Sequence, residues 1–139
     1  MIFPLDAPQA LLPQGSSERI AEEALAEAIR RLCRGGSWQG LARELAWRAV
    51  TGGHRDPRSV EALADAAEAM LASLIDEALW TVERAAIHSR DEFLEQSRGD
   101  DAGALAAARL DAAEEADRLV DAAYDSVLDS LLTRSRRAA

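Results

Sequence analysis

From Arg58 to Arg98 the chain contains neither glycine nor proline. Apolar residues recur through this stretch at three- and four-residue steps: Val60, Ala64, Ala67, Leu71, Leu74, Ala78 and Ala85. Such spacing places them along one side of an α-helix in a rough heptad seam. Leu63, Met70, Ile75, Leu79 and Val82 widen the apolar stripe. Asp56 and Pro57 suit the helix start as N-cap and first helical residue. A helix of about 40 residues is about 60 Å long, against the roughly 30 Å diameter of a small domain. It must project, kink near Ala86 to Ser89, or lie against a partner of similar length.

The next segment offers that partner. Ser97-Arg98-Gly99-Asp100 reads as a turn, with Asp100 or Asp101 capping a further helix. Leu105, Ala108, Ala112, Ala116, Leu119, Ala123, Val127 and Leu131 continue the same spacing to about Thr133. Two long helices joined by a short loop lie antiparallel. Alanine on both seams allows close approach of the backbones but buries little area per residue, at roughly 25 cal/mol per Å². With aromatic residues at only 4%, the core must be mostly Leu, Ala, Val and Ile. A hairpin this thin is suited to burying further surface by assembly.

Two shorter helices precede the hairpin. The first starts at Ser16 or Ser17, carries Ile20, Ala24, Leu25, Ala28, Ile29 and Leu32 on one side, and stops at Gly35-Gly36. Arg30, Arg31 and Arg34 favour its C-terminal end. The second takes Ser37 as N-cap, aligns Leu41, Leu45, Ala49 and Val50, and ends at Thr51-Gly52-Gly53. The expected fold is therefore all-α, a single-domain helical bundle. Its parts are a proline-containing apolar arm over 1–15, two short helices within 16–53, a long alanine-rich antiparallel hairpin over 56–133, and a basic tail over 134–139 expected to fray. Ile2, Phe3, Leu5, Leu11 and Leu12 make the arm apolar enough to strap onto the bundle or dock on another subunit.

The residues that could carry chemistry are few. Cys33 is the single cysteine and reads as a small apolar residue near a helix end. His88 has no glutamate three residues before it, so the paired Glu-x-x-His pattern of carboxylate-bridged metal bundles is missing. Arg84 and His88 share a helical face without a further catalytic partner, and no phosphate-binding glycine loop or activated nucleophile is present. The reading is non-enzymatic, with no cofactor, metal or small-molecule ligand. No run reaches the roughly 20 apolar residues of a membrane span, and the first residues lack a signal peptide's pattern. The expected location is the cytoplasm.

The chain has 139 residues and a net charge of −9, from 25 acids against 16 bases, all of them arginine. That balance disfavours broad phosphate binding. The leading expectation is a protein-interaction module (an adaptor, scaffold, inhibitor or small regulatory subunit) that assembles with itself through the hairpin. Its interface residues would be Leu71, Leu74, Ala78, Ala112, Ala116, Leu119 and Ala123, with Trp38, Trp47 and Trp80 as anchors. A second reading places Arg43, Arg48, Arg55 and Arg58 on DNA. Short arginine-bearing helices before a long oligomerising hairpin resemble, in plan, phage small terminase subunits, which would imply a packaging or regulatory component. A third reads Asp117, Asp121, Asp125 and Asp129, four apart, as an acidic face that meets a partner's arginines or imitates nucleic acid. Arg118 is expected to pair with Glu114.

Overall fold

The computed structural model describes residues 16–32, 37–52, 57–97 and 99–138, without the side chains of Pro57 and 135–138. The arm over 1–15, Cys33, Arg34, the Gly35-Gly36 stop, Gly53, His54, Arg55 and the Asp56 cap lie outside the described residues. Four α-helices follow one another: α1 (Ser17–Leu32), α2 (Trp38–Gly52), α3 (Val60–Ser97) and α4 (Asp101–Ala138). A 3-10 turn, Pro57–Ser59, leads into α3. The described residues contain no strand.

Serine and aspartate side chains start the helices by accepting backbone N–H groups that lack an intrahelical partner. Ser16 Oγ accepts from Arg19 N at 3.2 Å, Ser37 Oγ from Gly40 N at 3.1 Å, and Asp100 Oδ1 from Gly103 N at 2.9 Å. Asp100, rather than Asp101, is thus the cap of α4. Gly99 turns the chain between α3 and α4 at φ 78°, in the left-handed region where a side chain is strained. Helix α4 runs past Thr133 to Ala138.

Each long helix has 38 residues and is about 57 Å long. Each supplies the other's partner along most of that length. Ser89 Oγ donates to Ala107 O at 3.2 Å. Nearer the turn, the Phe93 ring lies where a Cβ on Gly103 would sit, 2.5 Å from Cζ. Any larger residue there would make the Phe93 ring or the Asp100 carboxylate shift.

Helices α1 and α2 barely touch one another. They lie end to end along one side of the hairpin, both parallel to α4. Ile20 lines one hollow with Arg109 and Ala113, and Arg31 reaches Asp117. Further along, Arg48 sits over Tyr124 and Gly52 touches Leu132. In cross-section this is a three-helix bundle whose first helix is broken in two. The core divides accordingly. Around α2 it holds Leu41, Leu45, Leu63, Leu71, Val127 and Leu131. Around α1 it holds Ile20, Leu25, Ile29, Val82 and Val120 with Ala78, Ala86, Ala108, Ala112 and Ala116. Leu32 and half-buried Trp38 pack against both clusters at the joint.

The buried stripe differs slightly from the seam read in the sequence. On α3, Leu63, Val82 and Ala86 are buried, whereas Ala64 and Ala85 are half-buried. On α4, Ala104 and Val120 are buried and Leu105 and Leu119 half-buried. Each long helix faces two neighbours, so its buried centre falls between the directions of the two.

Candidate interaction grooves

Helices α1 and α2 cover one side of the hairpin and leave the other open. There, an apolar groove of about 290 Å³ runs between α3 and α4. Leu74, Ala78 and Thr81 line it from α3, and Leu119, Ala122, Ala123 and Ser126 from α4, with Glu77 at the edge. The small side chains are what make it concave. Its margins carry both signs of charge: Glu77 and Arg84, seven apart, lie on that side of α3, and Glu115 and Arg118 on that side of α4. Arg118 forms its ion pair with Glu115, not with Glu114 as the sequence suggested. That hydrogen bond raises the Arg118 pKa above its ordinary value.

A second groove, of about 490 Å³, lies between α2 and the last third of α4. Glu44, Trp47, Arg48 and Thr51 recur at helical spacing on α2, and Leu128 and Leu132 face them from α4. Gly52 closes the end, its Cβ position 3.4 Å from Leu132 Cδ2. The Trp47 side chain stands 47% exposed beside the groove. Arg48 is exposed, its guanidinium 5.6 Å from the centroid of the Tyr124 ring. Burial pushes the Tyr124 hydroxyl above its ordinary range; Arg48 opposes the rise, and Glu44 and Asp125 add to it.

The residues singled out in the sequence separate into distinct environments. Leu71, Ala112 and Ala116 are fully enclosed by the chain's own packing. Ala78 and Ala123 are buried at the floor of the first groove, and Leu74 and Leu119 flank it half-buried. Trp80 is 61% exposed on the outer side of α3, with Arg84 stacked 4.7 Å from its ring centroid. Trp38 fills the α1–α2 joint.

The described arginines of the DNA reading lie on different parts of the bundle. Arg43 pairs with Glu61 of α3 at 2.9 Å, Arg48 faces α4, and Arg58 lies on the turn before α3. The acidic row also fans out. Four residues advance a helix by 400°, so successive aspartates rotate about 40°. Asp117 ends against α1, held by Arg31 at 2.7 Å, while Asp121, Asp125 and Asp129 are exposed.

Sequence reasoning did not pick out Glu44, Thr51, Leu128 and Leu132. The available signal was a pair of leucines four apart, off the seam of α4, matched by Trp47 and Thr51 four apart on α2.

Among the described residues, no group of three His, Cys, Asp or Glu side chains is arranged to hold a metal. None of the helices is long and apolar enough to cross a membrane. Compared with known proteins, the chain matches no family model, no curated protein and no solved structure.

Proposed function

We propose that this chain is a non-catalytic protein-interaction module that assembles with a second copy of itself through the groove between α3 and α4. The observation that carries the reading is the apolar side of the hairpin, lined by Leu74, Ala78, Leu119 and Ala123 and uncovered by α1 or α2. Three packed helices with one open groove can accept a further helical layer, and small residues there let backbones come close. The charge pattern favours a copy over an unrelated partner. Glu77 with Arg84, and Glu115 with Arg118, put both signs on each margin, which a two-fold axis can match against itself. The groove itself takes about two turns of each helix, from Leu74 to Thr81 and from Leu119 to Ser126, and a partner helix must continue along that side to reach the roughly 800 Å² per partner of a stable interface.

Light scattering tests the reading. The wild-type chain is expected at twice its chain mass at micromolar concentration, and Leu119→Glu at one chain mass with its helical circular dichroism unchanged. A wild-type protein of single-chain mass throughout that range overturns self-assembly.

A further inference from the structure

The groove between α2 and α4 has a different rim from the one between α3 and α4, and the difference identifies what it can take. Its apolar walls are Trp47, Leu128 and Leu132. Around them the balance of charge is negative: Arg48 lines the groove too, but four carboxylates stand against it. Glu44 lines the groove itself. Asp121 and Asp125 precede Leu128 by seven and three residues, and Asp125 and Asp129 stand in the same relation to Leu132. Helical geometry therefore places all three aspartates along the outer edge of the leucine pair. All three are exposed. The groove's own cation, Arg48, is already stacked on Tyr124.

We infer that this groove binds an amphipathic helix of another protein, with a large apolar residue seated between Trp47 and Leu128 and arginine or lysine side chains flanking its apolar face. An exposed tryptophan beside two leucines supplies the anchor pocket of helix-in-groove recognition. The acidic rim supplies selection: a helix bearing arginines approaches down the potential of Glu44, Asp121, Asp125 and Asp129, and an acidic one is repelled. The same rim disfavours a second copy of a chain whose net charge is −9. The inference keeps the reading of an interaction module but uses a separate surface from self-assembly, so either can fail alone.

The test uses the full chain and a fluorescein-labelled helical peptide about 20 residues long, about 30 Å, carrying leucines on one face and arginines on both flanks. A matched peptide replaces every arginine by glutamate. Fluorescence anisotropy is expected to show binding of the arginine peptide, weakening as salt is raised, and none of the glutamate peptide at the same concentrations. Trp47→Ala, and separately Asp121→Asn with Asp125→Asn and Asp129→Asn, should each weaken binding at least tenfold with unchanged circular dichroism, while Trp47→Phe retains most of it. Peptide addition should also shift tryptophan emission to the blue in the wild type but not in Trp47→Phe. No binding by the wild type overturns the inference. Equal binding by Trp47→Ala and wild type does so too, because attraction would then come from diffuse acidity. If Trp47→Ala instead lowers the solution mass, the groove holds a second copy, and both the inference and the placing of self-assembly in the α3–α4 groove fall.

Discussion

Around α2 the bundle is filled by leucine, with Leu41, Leu45, Leu63, Leu71 and Leu131 buried together; around α1, alanine takes most of those places on the hairpin side. The leucine half gains stability from the apolar area that large side chains remove from water. The alanine half buries less per residue and depends on how closely the helices approach. Ala108, Ala112 and Ala116 are each fully enclosed although their side chains are single methyl groups. One sequence thus closes two ends of the same hairpin by different means: bulk at one end, proximity at the other.

The contrast fixes what should hurt each half. Leu45→Ala leaves a cavity among side chains that cannot follow it and should cost about 2–5 kcal/mol, read as a lowered denaturant midpoint. A loss well below that range would mean the leucine half collapses around the gap and is not filled by bulk. Ala112→Leu makes the opposite demand, forcing apart helices that are already in contact, and should cost about 1–3 kcal/mol. Were it neutral, close approach would not be what holds the α1 half.

Nearer the turn, Gly103→Ala would gain up to about 1 kcal/mol of helix propensity. Its Cβ would also meet both the Phe93 ring and Asp100 Oδ2 at 2.5 Å. A net loss of about 1 kcal/mol is expected once the overpacking is included. A Tm above wild type would show that the ring moves aside freely.

The smallest effect lies in the leucine half. Burial raises the Tyr124 pKa above 10.0, so the folded chain keeps its phenol protonated when the unfolded chain has begun to ionise. Stability from this source is full below pH 10 and is lost as the pH rises through the folded-state value. The chain has one tyrosine and no lysine, so no second phenol and no lysine ammonium titrates alongside it. Tyr124→Phe should flatten stability against pH there, and phenolate absorbance in the wild type should rise later than for a free tyrosine.

Much of the fold was legible because local rules agreed with the global one. Ser16, Ser37 and Asp100 cap helices where cap chemistry places them, and the stretch without breakers becomes α3. The grooves were less legible. Periodicity identifies which residues share a face, but not which neighbour covers that face. Nothing local tells that α1 and α2 lie end to end, or that Arg31 would take Asp117 from across 86 residues and so remove one member of the apparent acidic row. The seam residues Leu71, Ala112 and Ala116 read equally well as an interface or a core until the covering helices are in place.

The course of the broken helix has an electrostatic consequence as well. With α1 and α2 both parallel to α4, and only α3 opposed, the peptide dipoles do not cancel along the bundle. Near Gly52, α2 reaches its C-terminal end, whose last turn carries roughly half a negative charge; α4 continues from Leu132 to its own end at Ala138. The backbone thus adds to the acidity of the side chains at the end of the α2–α4 groove, through a contribution that no substitution of Glu44 or the aspartates would remove. The arginines that finish α4 lie beyond Thr133, where a cation offsets the like charge at α4's own end.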